Sequence, residues 1–279
     1  MAVYSPFVRA FIAGLCPEDG RPLAAWLDAA LVRRHLLDRA RGRSVSYVKL
    51  LAAALRSFLR FLFLDGATPT DLSLAVPPVR RWKPLPLPAF LSADEVERVL
   101  ASVDRTTARG RRALAMLLLL ARLGLRPGEV STLDLDDVHW RSGEIVVRGK
   151  GGFQDRLPLP DVGRALALYL RHDRGPSVSR RLFLRMIAPR VALSGPHAVC
   201  FVAREAIRRA GLSLPGRFGA HVFRHGLARR LLRHGASLQE IAQVLRHRSV
   251  HSTQTYARLD FGALGDVARP WPLPVGGAR

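Results

Sequence analysis

Between Gly219 and Leu259 the chain carries four side chains that can hold a phosphate or move a proton: His221, Arg224, His247 and Tyr256. His221 and Arg224 are three apart, so a helix puts an imidazole and a guanidinium on one face. Two further groups of this chemical kind precede them. Arg126 stands in Gly124-Leu125-Arg126-Pro127-Gly128-Glu129. Pro127 suits the first turn of a helix, and the unpaired backbone N–H groups of a helix start favour an anion beside Arg126. Lys150 stands in Gly149-Lys150-Gly151-Gly152-Phe153-Gln154, a glycine-rich tip between two strand-like segments. Lysine can release a proton near neutral pH, whereas arginine cannot. This is one of only three lysines (Lys49, Lys83, Lys150) among 44 basic residues. Taken singly, each group has a plain alternative: a surface arginine, a solvated hairpin tip, a core histidine.

The elements that must position these groups are legible in the local patterns. Leu227, Leu231 and Leu232 continue a helix from His221, with Gly235 as its stop. Ser237 caps a second helix, with Glu240 completing a capping box and Ile241, Val244 and Leu245 as the buried face. His247 falls just past its end, and Tyr256 follows after a polar turn. Upstream, Ser92 and Glu95 predict a capped helix over 92–102, and Gly110 to Leu123 predicts a central apolar helix. Glu144 to Arg148 and Asp155 to Leu159 read as strands, Asp161 to His172 as a helix, Leu182-Phe183-Leu184 as a short edge strand, and Pro196 to Ala210 as a helix.

Residues 1–75 read as helices, one over Leu23 to Ala40 and a longer one capped by Ser44 and ended by Gly66. Arg33, Arg34, Arg39, Arg41, Arg43, Lys49, Arg56 and Arg60 lie along them, either as a solvated face or as phosphate contacts. Residues 75–89 hold five prolines, which excludes helix and suits an extended linker. The expected organisation is a helical domain 1–75, a basic linker 76–89, a second domain 90–260 and a tail 261–279. In that tail, Arg269-Pro270-Trp271-Pro272-Leu273-Pro274 reads as a docking peptide.

Composition narrows the function classes. The net charge is +22 over 279 residues, and the pI is near 11.6. Such a field favours a polyanionic partner, above all nucleic acid. Residues 1–88 carry 13 Lys+Arg against 6 Asp+Glu, and residues 89–279 carry 31 against 16, so both halves are basic. Cys16 and Cys200 make no metal or disulfide pattern, which fits a reducing cytoplasm. The longest apolar run, Ala113 to Ala121, is too short to span a bilayer, and Ala10 to Cys16 lacks the flanks of a signal peptide.

Taken in order, Arg126, Lys150, His221-x-x-Arg224, His247 and Tyr256 resemble the tyrosine recombinase (phage integrase) family. LGLRPGEVSTL is similar to its first-arginine box, VVRGKGGFQDRLPLP to its lysine hairpin, and AHVFRHGLARRLLRHGASLQEIAQVLRHRSVHSTQTYARL to the second box through the nucleophile. SYVKLLAAALRSFLRFLFLDG resembles a helix of its N-terminal core-binding domain. The resemblance implies a mainly α fold with a small antiparallel β-sheet. A helical N-terminal core-binding domain would precede a mixed α/β C-terminal catalytic domain, the two clamping double-stranded DNA. It implies that Arg126 and Arg224 hold the scissile phosphate and that Tyr256 attacks it to leave a covalent 3′-phosphotyrosine. His221 would act as general base, Lys150 would protonate the leaving 5′-oxygen, and His247 would hydrogen-bond the phosphate or support the tyrosine. No metal and no cofactor are implied, because the cations are built in. Four protomers would act on two DNA sites, the tail packing on a neighbouring protomer, in the cytoplasm and without a membrane.

Two residues depart from the family pattern. Arg246 precedes His247 where the family usually has glycine. A left-handed helix end there would cost a non-glycine residue up to ~1 kcal/mol. Gly226 replaces a small hydroxyl residue inside a helix, where glycine weakens it. Three other readings share parts of the pattern: a non-catalytic DNA-binding regulator using 237–256 as a helix-turn-helix, a type IB topoisomerase, and a recombinase that has lost activity. His225, His234 and His251 are expected to have no catalytic duty.

Overall fold

The computed structural model describes residues 4–15, 27–79, 89–149, 152–159, 161–216 and 218–246. The chain divides into two compact units, Met1–Leu85 and Pro86–Arg279. The docking segment expected after residue 260 lies outside the described residues.

In the first unit, α1 (Ser5–Leu15), α2 (Ala29–Ala40) and α3 (Val45–Leu64) surround one apolar core. Ser44 caps α3 by accepting the Tyr47 N–H at 3.2 Å. Of the helix expected over 23–40, residues 23–26 lie outside the described residues, and the described helix covers Ala29–Ala40. Asp28 is extended and its carboxylate accepts the Leu31 N–H at 2.7 Å, so the helix starts at Ala29. A capping carboxylate satisfies an otherwise unpaired donor and fixes the start there. The described α3 buries Leu51, Leu55, Leu59 and Leu62 against Phe11, Val32 and Leu36. Each such side chain contributes about 1.5–3 kcal/mol when fully buried. Arg33, Arg34, Arg39, Arg41, Arg43, Lys49 and Arg60 are exposed. Arg56 is turned inward instead, donating to the carbonyls of Val76 at 3.3 Å and Pro77 at 2.9 Å.

The second unit is built round α5 (Ala108–Arg122), packed by α4 (Ala93–Ala101), α7 (Asp161–His172), α8 (Pro196–Arg209) and α9 (His221–Arg233). Ala115, Met116, Leu117, Leu119 and Leu120 are wholly buried. A helix covered on all sides needs an apolar circumference, which the run from Ala113 to Ala121 supplies. Ser92 and Glu95 form the capping box of α4. A three-stranded antiparallel sheet, β1 (Val138–His139), β2 (Glu144–Arg148) and β3 (Gln154–Pro158), flanks this core. The pairing of Arg148 with Gln154, closed by the Gly149 N–H on the Phe153 carbonyl at 2.9 Å, sets the hairpin register. Strand β1 escapes sequence reading because two residues carry no period.

Leu182-Phe183-Leu184 is not an edge strand of this sheet. The segment is buried and makes one isolated bridge, Leu184 with Ala192, beside another at Arg181 with Asp134. Its apolarity comes from core packing, where Phe183 stacks on Tyr169, so a short apolar run misled on type.

Candidate active site

Four helix ends meet at the site. The C-terminus of α5 turns through Gly124, whose φ of +58° is left-handed. A Cβ there would lie 2.9 Å from Leu227 and 3.0 Å from Leu245, so glycine serves both the turn and the packing of α9 and α10 (Leu238–Val244) against it. After this turn Arg126 opens α6 (Pro127–Thr132), with Pro127 in the first turn. Helix α10 is capped by Ser237 and Glu240 and anchored by Ile241 and Leu245. Val244, expected on its buried face, is 46% exposed. With Ile241 and Leu245 on the apolar cluster, a residue one position before Leu245 is rotated off that face.

The two arginines converge on the end of α10. Arg224 is 3% exposed, and its amino groups donate to the carbonyls of Gly124 and Leu245. Arg126 donates through Nη2 to the Arg246 carbonyl at 3.3 Å and through Nη1 to Glu129 Oε1 at 2.6 Å. Consecutive carbonyls, at 245 and 246, therefore receive the two guanidiniums. Arg126 keeps 38% of its side-chain surface exposed, and a guanidinium is a group that can pair with an oxyanion. The anion that the sequence predicted beside Arg126 is supplied by the chain itself. Glu129 Oε2 accepts the Arg126 backbone N–H at 2.8 Å.

Glu129 is the residue that sequence reading passed over. It is buried, and burial pushes its carboxyl up. Hydrogen bonds from the Arg126 backbone and side chain, with the charges of Arg246 and Arg126, outweigh that and hold it below the usual carboxylate range. Its signal was present: an acid three residues after a helix start is the capping-box pattern.

His221 begins α9 on the same face as Arg224, and the residue is exposed in part. Protein packed against the ring strips part of its hydration, and Arg224 and Arg126 repel a proton. Its pKa is thereby lowered despite the opposing pull of Glu129. A neutral imidazole beside two guanidiniums can accept a proton, which is the electronic state a general base needs. His225, one turn on, has its ring centroid 6.3 Å from that of His221. Burial first, then His221 and Arg224, push it down to about 4. His234 is exposed and bonds its own helix, Nδ1 lying 2.7 Å from the Arg230 carbonyl.

Gly226 has a packing reason that helix propensity does not reveal. A Cβ there would lie 2.3 Å from the Leu91 carbonyl oxygen, so α9 runs directly against the chain entering α4. Lys150, His247, Tyr256 and His251 lie outside the described residues. The hairpin that leads to Lys150 is described on both sides, and an ion pair with the buried Asp137 holds Arg148, the last residue of β2 before the tip. Among the described residues no helix is long and apolar enough to cross a membrane.

Residues 89–262 match the phage integrase family. "Putative integrase/recombinase y4rA" of Sinorhizobium fredii (strain NBRC 101917 / NGR234) is 44% identical over 270 residues, covering 96% of this chain and 65% of that protein. The chain thus spans less than two thirds of that relative's length. Tyrosine recombinase XerC of Azotobacter vinelandii (strain DJ / ATCC BAA-1303) is 32% identical over 266 residues, covering 91% of this chain and 85% of the relative. Among solved structures, the XerH site-specific recombinase in a post-cleavage complex with a palindromic difH substrate aligns with a TM-score of 0.73. It is 19% identical and covers 98% of this chain and 80% of that one. That likeness is one of fold: mainly helical, with a small antiparallel sheet.

Proposed function

The chain belongs to the phage integrase family, and on that basis we propose that it is a site-specific DNA recombinase working through a covalent 3′-phosphotyrosine. One observation carries the assignment. Arg126, Arg224 and a proton-poor His221 are gathered at the end of α10, immediately before His247 in sequence.

Each role follows from the chemistry of the group. Arg126 and Arg224 bind the non-bridging oxygens of the scissile phosphate and offset the charge that grows in the transition state. The Tyr256 hydroxyl attacks phosphorus. Its proton goes to His221, since a phenol with an ordinary pKa near 10 needs a base at neutral pH. The P–O bond to the 5′-oxygen breaks as Lys150 protonates that oxygen. His247 hydrogen-bonds the phosphate or supports the tyrosine. The phosphotyrosyl bond keeps the energy of the phosphodiester, so a 5′-hydroxyl of another strand attacks it and restores Tyr256. Guanidinium and ammonium groups supply the positive charge, so this scheme uses no metal or cofactor. The roles of Lys150, His247 and Tyr256 rest on the family resemblance and their order in the sequence. Strand exchange takes four protomers on two duplex sites, in the cytoplasm.

The test is covalent trapping on nicked suicide duplexes tiled across the DNA flanking the gene. The wild-type protein should form a denaturant-resistant adduct on at least one duplex, and Tyr256→Phe on none. An adduct that survives Tyr256→Phe overturns the nucleophile. Salt-sensitive binding without any adduct favours a DNA-binding regulator or an inactive recombinase.

A further inference from the structure

Arg246 is not a glycine replaced at a cost. Its φ is +54°, and among the described residues it is the one non-glycine residue with a positive φ. An arginine held in that conformation must be over-determined by its contacts, and it is. The side chain is only 7% exposed. Nη2 meets Glu129 Oε2 at 3.1 Å, and Nη1 donates towards the Leu123 carbonyl at 3.4 Å. Glu129 is therefore shared: one carboxylate receives Arg126 through both backbone and side chain, and Arg246 as well. The carbonyl of Arg246 closes the loop by accepting Arg126 Nη2. The remaining donor, Nε, is buried without a hydrogen-bond partner, and Asp155 Oδ2 lies 3.9 Å from it. Asp155 lies on β3, the strand that returns from the Lys150 tip.

We propose that Arg246 is a positioning residue. Its side chain clamps Glu129, and through it Arg126, to the end of α10, and its Nε is the point on which the Lys150 hairpin docks through Asp155. The first arginine, the lysine strand and the segment leading to His247 and Tyr256 are thus tied to one buried guanidinium. The backbone strain at Arg246 is the condition for putting that guanidinium there. The catalytic part of this proposal rests on the recombinase assignment above, and the anchoring part does not.

Two measurements separate the possibilities. Without DNA, urea unfolding of Arg246→Gly, Glu129→Gln and the double variant tests the clamp. The expected result is that Arg246→Gly lowers the unfolding midpoint although it relieves the positive φ, and that the two substitutions are non-additive. A midpoint that rises for Arg246→Gly, or strict additivity, overturns the anchor. With the nicked suicide duplexes, Arg246→Gly should slow single-turnover adduct formation by about 10- to 100-fold, the scale of a small misplacement at a reacting centre. DNA binding should stay within about twofold. Added ethylguanidinium should restore part of the rate, and Asp155→Asn should slow adduct formation without touching the Glu129 coupling. Unchanged or faster adduct formation by Arg246→Gly overturns the positioning role. A wild-type protein that forms no adduct overturns the recombinase assignment and the catalytic part with it, while the urea cycle still decides the anchor.

Discussion

At the scale of single residues, the site is a problem in placing cations. Guanidiniums brought close together repel unless carboxylates and carbonyls separate them. Here Glu129 lies between Arg126 and Arg246, while the Gly124 and Leu245 carbonyls receive Arg224. Glu129→Gln keeps the shape and removes the charge. It should destabilise the protein by about 1.5–3 kcal/mol, the range for losing hydrogen bonds to a charged group, as read from urea unfolding. His225 gives a second expectation. Its folded pKa, about 4, lies below the ordinary histidine value of 6.5. The unfolded chain therefore binds more protons between those values. The stability this group contributes is fully present above about pH 6.5 and is lost as the pH falls towards 4. Unfolding midpoints measured across that window should fall with pH for the wild type and less steeply for His225→Asn.

At the scale of elements, the site depends on how closely helices approach. Helix α9 carries both His221 and Arg224, and its approach to the chain entering α4 is set by Gly226 against the Leu91 carbonyl. In an isolated helix, Gly226→Ala would gain up to about 1 kcal/mol from propensity. Here a new Cβ at 2.3 Å from backbone oxygen forces α9 and the entry to α4 apart. Overpacking of that kind costs about 1–3 kcal/mol. The net expectation is a lower Tm by thermal unfolding, together with weaker coupling between Arg224 and the end of α10. A raised Tm would mean that α9 has room to shift.

At the scale of the whole molecule, charge dominates. A net +22 spread over both halves supports a duplex DNA partner whose affinity is largely counterion release. Six or more phosphate contacts should cost about a thousandfold in affinity between about 50 and 200 mM salt. Fluorescence anisotropy on a short duplex measures this slope. A shallow slope would point away from a phosphate-tracking grip. Arg33, Arg34, Arg39, Arg41, Arg43, Lys49 and Arg60 are the exposed candidates in the first unit, whereas Arg56 is occupied by the Val76 and Pro77 carbonyls.

Much of this was determined by the sequence itself, because the signals are local. Caps at Ser44, Ser92 and Ser237, the stop at Gly235 and the hairpin flanking Lys150 depend on neighbours within a few positions, so propensity and spacing decide them. The sharing of a face by His221 and Arg224 follows from helical geometry alone. Other features belong to the tertiary structure, because they need partners far along the chain. Glu129 became a clamp only when Arg246, 117 residues away, reached it. Gly226 reads as a defect until Leu91 is seen against it, and Leu182-Phe183-Leu184 reads as a strand until its core neighbours appear. Arg246 looks like an error at a glycine position when only its neighbours are considered. Its contacts with Leu123, Glu129 and Asp155, brought together by folding, turn a backbone penalty into an anchor.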